Sequence, residues 1–156
     1  MISRTSNGLK KHSYSEWKDV LSSNLNSTFL TSTYAIENMV INRKSGLIIN
    51  ISSISAEGNI GQAAYSSSKA AIESFSATLS KELAIFGIRV VSIAPGFFNT
   101  KSTLKSLSKN QISNIKSITP VSRLGKIQEL TNAINFVINN KFYNGKVLKI
   151  DGGLRI

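Results

Sequence analysis

Apolar residues between Trp17 and Val40 recur at helical spacing, with Trp17, Val20, Leu21, Leu25, Phe29, Ile36, Met39 and Val40 on one side of a 3.6-residue repeat. The repeat starts behind Ser13-Tyr14-Ser15-Glu16, which has the spacing of a capping box, and it breaks at Asn42 and Ser45-Gly46. Residues 47–51 form a short β-branched run, the pattern of a buried strand. Asn50 and Ser52-Ser53 lead from it into a polar loop through Gly58 and Gly61. Residues 63–86 return to the helical period through Ala71, Ile72, Phe75, Leu79 and Leu83, and Gly87 supplies a stop. Residues 88–94 read as a second strand that ends at Pro95-Gly96. The stretch 97–120 is polar, basic and weakly periodic, and is expected to be a mobile lid. Residues 128–139 give a further amphipathic helix through Leu130, Ala133, Ile134 and Val137, and 146–150 a last strand before Asp151-Gly152-Gly153. Strand alternating with helix implies an α/β fold: a parallel sheet covered by helices on both faces.

The chain has 156 residues, 41% of them apolar, enough for one sizeable core. It carries no internal repeat and no low-complexity linker, so residues 1–156 are expected to form one domain or a large piece of one. No apolar run approaches the roughly 20 residues of a membrane span, and the first residues lack the apolar stretch of a secretory signal. A cytoplasmic protein without membrane contact is the expectation. The absence of cysteine removes disulfides and thiolate chemistry, and a lone His12, expected to be an exposed loop residue, cannot build a histidine metal centre.

The net charge of +11 is unevenly distributed. No acidic residue lies between Glu82 and Glu129, an interval that holds Arg89, Lys101, Lys105, Lys109, Lys116, Arg123 and Lys126. These are spaced singly among Ser, Asn and Ile, without the dense basic clusters and interleaved aromatics of nucleic-acid binders. No nucleic-acid partner is expected.

Tyr65 and Lys69 lie four apart in the second predicted helix, so both project from one face about one turn apart. A phenol ordinarily titrates near 10, and a neighbouring ammonium favours its ionised form, which makes tyrosine a usable acid or base closer to neutrality. The same spacing also suits an exposed phenol lying on a lysine stem. The surrounding text separates the two readings. Leu47-Ile-Ile-Asn-Ile-Ser-Ser53, Tyr65-Ser-Ser-Ser-Lys69-Ala-Ala and Gly87-Ile-Arg-Val-Val-Ser-Ile-Ala-Pro95-Gly96 resemble the catalytic half of the short-chain dehydrogenase/reductase family. Asn24 in Ser22-Ser-Asn-Leu25 matches that family's helix asparagine. Val121-Ser-Arg-Leu-Gly125 and the segment from Gly145 to Gly153 resemble its closing segments. Among subfamilies, Gly58-Asn-Ile-Gly-Gln62 and Pro95-Gly-Phe look most similar to the 3-oxoacyl-acyl-carrier-protein reductases.

The resemblance implies the C-terminal part of a doubly wound, Rossmann-type sheet and reduction of a carbonyl, such as a 3-oxoacyl thioester, by NADP or NAD. Tyr65 would protonate the carbonyl oxygen, Lys69 would hold the nicotinamide ribose and lower the Tyr65 pKa, and Asn24 would hold a water behind Lys69. A serine would bond the carbonyl. The strand motif points to Ser53 and the distance back from Tyr65 to Ser52, and the alternation of strand side chains lets only one of them serve. Pro95-Gly96 would pass close to the nicotinamide, and Thr100 would bond its carboxamide or the pyrophosphate. An acidic carrier protein would meet Arg43, Lys44 and Lys81, and the complete protein would be a homo-oligomer.

The glycine-rich strand-turn-helix that receives a dinucleotide pyrophosphate does not occur in this sequence: neither Gly58 and Gly61 nor Gly152-Gly153 has the Gly-x-Gly-x-x-Gly spacing. The chain is therefore expected to lack the N-terminal dinucleotide-binding half, to be inactive alone and to fold poorly through an uncovered edge of its first strand. The alternative to a catalytic half is a non-catalytic remnant, an interaction module that uses the family's helical dimer faces.

Overall fold

The computed structural model describes residues 2–5, 8–11 and 13–155, the first two segments by their backbone. Those two segments are strands β1 (Ile2–Thr5) and β2 (Gly8–Lys11), an antiparallel pair with Ile2 opposite Lys11, which the hydrophobic pattern did not predict. His12 lies outside the described residues.

The predicted capping box forms at Ser13. Its hydroxyl accepts from the Glu16 N–H at 3.1 Å, and the Glu16 carboxylate accepts from the Ser13 N–H at 2.8 Å. Behind it the chain is helical from 14 to 41 but changes pitch: α1 (Tyr14–Leu21) passes into a π-helical segment (Ser22–Asn26) and then α2 (Ser27–Ile41). Side-chain donors compete for the carbonyls of this stretch. The Asn24 amide donates to the Val20 carbonyl at 3.0 Å, and the hydroxyls of Ser27 and Thr28 donate to those of Ser23 and Asn24 at 2.7 and 2.8 Å. Such back-bonding perturbs the regular ladder, and the π turn falls where it is densest.

Strands β3 (Gly46–Ile51), β4 (Ile88–Pro95) and β5 (Val147–Ile150) form a parallel sheet in that order, with Ile48 opposite Val90 and Ile93 opposite Leu148. Their side chains alternate between two cores. On one face Ile48, Ile88 and Val90 pack with Leu83 and with Ile36, Met39, Val40 and Leu79, from α2 and from helix α3 (Ala63–Glu82). On the other, Val91 and Ile93 pack with Leu47, Ile49, Leu148 and Ile150 against Leu130, Ile134 and Val137 of helix α6 (Ile127–Asn139). The fold is α/β with a parallel sheet and helices on both faces, as the alternation of elements predicts. Among the described residues no strand pairs with the outer edge of β3.

Helix α3 ends one residue before a short 3-10 turn (Ala84–Phe86), and Gly87, at φ 67°, takes the left-handed conformation that stops it. Despite its weak periodicity the stretch 97–120 holds two helices, α4 (Lys101–Ser106) and α5 (Lys109–Ile118). Each is started by a hydroxyl cap: Thr100 accepts from the Thr103 N–H at 3.0 Å, and Ser108 forms a capping box with Gln111. Ile115 is the buried anchor of α5.

Arg89, one of the singly spaced cations, is engaged by the end of α6. Its guanidinium donates to the carbonyls of Val137, Ile138, Asn140 and Tyr143 at 2.9 to 3.2 Å. A cation there satisfies the free carbonyls at the end of α6 and complements the helix dipole.

Candidate active site

The carboxyl ends of β3 and β4 open into a cleft of 560 Å³ lined by Ser53, Ile54, Ser55, Gly61, Gln62, Ala64, Tyr65, Pro95, Gly96 and Phe97, with Glu16 and Val20 from α1 across its mouth. Ligands of open parallel sheets bind at this end of the strands. The helix start at Ala63 delivers Tyr65 to the cleft in its first turn, and β4 ends there because Pro95 offers no N–H to continue the ladder.

Lys69 stands one turn beyond Tyr65, its Nζ 5.6 Å from the centre of the phenol ring. The ammonium donates to the Ile51 carbonyl at 2.9 Å, tying α3 to the end of β3. Lys69 is half-buried, and burial pushes its pKa below the ordinary lysine value.

The two serines part company. Ser52, 2% exposed, donates its hydroxyl to Glu73 at 2.7 Å and stands 3.2 Å from the Lys69 carbonyl, so it faces α3. Ser53 is on the cleft side, extended at φ −163° and ψ 154°, with its Oγ accepting from the Ser55 N–H at 3.1 Å. Ser53 and Tyr65 therefore share the cleft, and Ser52 does not line it.

Asn24 is half-buried in the π turn, its amide returned to Val20 and 3.3 Å from the Ser23 hydroxyl. Its side-chain partners are thus local, and no side-chain hydrogen bond joins it to Lys69. Gly96 lines the cleft, and a Cβ there would come within 2.8 Å of the Asp151 Cα. Its N–H donates to the Ile150 carbonyl at 2.8 Å, so close passage of β5 already requires glycine at this position. Thr100 caps α4 and is not among the cleft residues.

Gln62, which spacing alone did not single out for chemistry, lines the cleft. Its Oε1 accepts from the Ser55 hydroxyl at 3.1 Å and from the Asn59 amide at 3.2 Å. Its Nε2 has no acceptor among the described residues. The i, i+3 spacing of Gln62 and Tyr65 at a helix start was the available signal.

The described residues contain no group of three or more His, Asp or Glu side chains that could hold a metal, and no helix long and apolar enough to cross a membrane.

The family model described as short chain dehydrogenase matches residues 3–111. Over 142 residues the chain is 42% identical to the 3-oxoacyl-[acyl-carrier-protein] reductase of Buchnera aphidicola subsp. Baizongia pistaciae and 37% identical to that of Escherichia coli, covering 89% of this chain and 57% of each relative. It is 38% identical over 166 residues to human 3-hydroxyacyl-CoA dehydrogenase type-2, covering 100% of this chain and 63% of that protein. A solved structure of 4-hydroxyisoleucine dehydrogenase complexed with NADH superposes with a TM-score of 0.84 at 30% identity, over 90% of this chain and 60% of that one. The chain thus spans less than two thirds of the length of these relatives.

Proposed function

The chain belongs to the short-chain dehydrogenase family, and from that premise we propose that its cleft reduces a carbonyl group with a nicotinamide dinucleotide, NADP or NAD, as cofactor. The carrying observation is the meeting of Ser53 and Tyr65 in one cleft at the carboxyl ends of β3 and β4, with the Lys69 ammonium 5.6 Å from the phenol ring. Pro95, Gly96 and Phe97 line the cleft with Tyr65, and the nicotinamide would lie among them with its ribose toward Lys69. The dinucleotide supplies the hydride; the chain supplies the rest. Ser53, whose proton is uncommitted while its oxygen accepts from Ser55, donates to the substrate carbonyl and orients it. Tyr65 gives its phenolic proton to the same oxygen as negative charge develops there. Asn24 would act through a water behind Lys69, with its backbone and amide held by the π turn. The pyrophosphate would be held by residues other than the Gly-x-Gly-x-x-Gly turn, which this sequence does not contain.

A 3-oxoacyl thioester is the proposed substrate class. Val20, Ile54, Ala64 and Phe97 give the cleft apolar walls, and the Gln62 amide, with its oxygen already engaged twice, turns its N–H groups to a second substrate oxygen. An acidic carrier protein is the proposed donor of that thioester. Exposed Arg43 and Lys44 border a groove of 350 Å³ with Met39, Val40, Ile85 and Phe86, and Lys81 lies in the last turn of α3. Charge reversal, Lys81→Glu, should slow turnover of carrier-bound substrate more than of a free ketone, and added salt should erase the difference. Equal effects on both substrates would remove the carrier from the proposal.

A homo-oligomer belongs to the same reading, because Leu30, Tyr34 and Ile41 stand 55%, 72% and 79% exposed along α2. That face also suits the alternative, a non-catalytic interaction module. Titration with reduced dinucleotide, with the dinucleotide-binding segment of a full-length relative supplied, separates the two: a catalytic cleft binds it and loses affinity on Lys69→Ala, whereas an interaction module shows no effect of Lys69→Ala.

A further inference from the structure

Tyr65 and Lys69 are followed on the same face of α3, one turn further on, by Glu73, which the proposed chemistry does not use. All three side chains reach the end of β3 or the cleft beyond it. Lys69 bonds the Ile51 carbonyl, and Glu73 takes the hydroxyl of the next residue, Ser52, at 2.7 Å. A serine hydroxyl has one proton. Of its two acceptors, the Glu73 carboxylate is nearer than the Lys69 carbonyl at 3.2 Å and is charged, so the proton goes to Glu73.

Resting on the reading of the cleft as a carbonyl site, we propose that Glu73 is a positioning residue: by holding Ser52 toward α3 it fixes the strand exit so that Ser53 presents its hydroxyl to the substrate. Successive residues of an extended chain face opposite ways, so a bond that fixes Ser52 also fixes Ser53. Ser52 is buried, and its hydroxyl needs a partner on the α3 side to stay there. The far end of the turn Ile54–Glu57 is held as well, because the Lys149 ammonium of β5 pairs with the Glu57 carboxylate. Lys149 in turn lies in the field of Glu73 and Asp151. The segment that carries Ser53 is thereby tied at one end to helix α3 and at the other to strand β5, the arrangement a donor needs to keep one direction.

The test is a double-mutant cycle on binding of a small acetoacetyl thioester to the full chain, followed through the ligand's own NMR signals, which need only the folded fraction of the protein. Ser53→Ala and Glu73→Ala should each raise the dissociation constant about three- to tenfold, the loss expected for one hydrogen bond. The double variant should bind no worse than either single one. Glu73→Gln, which keeps an acceptor oxygen, should restore binding, and Ser52→Ala, which removes the other end of the bond, should reproduce Glu73→Ala even if the latter folds badly. If Glu73→Ala changes nothing, or weakens binding as much in the Ser53→Ala background as in the wild type, Glu73 does not act through Ser53 and the proposal falls. If Ser53→Ala and Tyr65→Phe both leave binding unchanged, the carbonyl site itself is wrong and the proposal falls with it.

Discussion

The two faces of the sheet are built from different material. Toward α6 the interior is aliphatic, with Val91, Ile93 and Val137 at 0% exposure among leucines and isoleucines. Toward α2 and α3 it carries a polar seam. Ser32 donates to Asn50 at 3.5 Å, Asn50 donates to Ser76 at 2.9 Å, and Ser52 donates to Glu73, while the buried hydroxyls of Ser68 and Ser80 donate to the carbonyls of Tyr65 and Ala77. An apolar face stabilises by area and tolerates small shifts, whereas a face of buried hydrogen bonds fixes directions because each donor must find its acceptor. The helix that carries Tyr65 and Lys69 sits on the second face. Both faces bury apolar side chains, Ile88 and Val90 on the second among them, and the second adds the buried polar groups that fix side-chain direction.

This contrast is open to direct attack. Ile93→Ala, on the aliphatic face, should cost about 2 to 5 kcal/mol of unfolding free energy and leave ligand binding by the folded fraction unchanged. Altered affinity in that fraction would mean the two faces are not separate in function. Asn50→Ala should cost less, about 1 to 3 kcal/mol, by leaving the Ser32 hydroxyl without its acceptor, yet it should also weaken thioester binding because it loosens β3 against α3. A variant that melts early but binds normally would reduce the polar seam to ordinary packing. The smallest effect lies away from both faces. Paired with Arg123 and accepting from the Lys126 N–H, the exposed Glu129 carboxyl falls from 4.5 to about 2. Its folded-state value is depressed, so its contribution is present above pH 4.5 and is lost as pH falls from there toward 2. Glu129→Gln should flatten that limb of the stability profile slightly and leave the neutral range little changed, as a pH series of melting curves would register.

Much of this architecture is legible in the residue pattern. The strands at β3, β4 and β5 and the helices α3 and α6 announce themselves through periodicity, and Ser13 and Gly87 mark ends that form where the pattern puts them. The helices α4 and α5 escape because their apolar stripe is thin, although Ser108-x-x-Gln111 is a capping box of the same kind as the one at Ser13. The π turn at Asn24 escapes because it depends on several hydroxyls choosing their own helix's carbonyls, a choice that periodicity does not encode. The site is legible in its residues more than in its geometry. Ser52 and Ser53 are indistinguishable by local rules, and what tells them apart is Glu73, 21 residues further along the chain. Arg89 reads as one more surface cation, since the carbonyls it bonds lie 48 to 54 residues away.

The central claim is that Tyr65 is the proton donor to a bound carbonyl. It is tested most directly by the rate at which reduced dinucleotide is oxidised with an acetoacetyl thioester, when the chain is supplied with the dinucleotide-binding segment of a full-length relative. Tyr65→Phe replaces the phenolic hydroxyl of a half-buried ring with hydrogen. The expected result is a fall of about 10²- to 10⁴-fold in that rate with an unchanged melting midpoint. Equal rates for the wild type and Tyr65→Phe would contradict it.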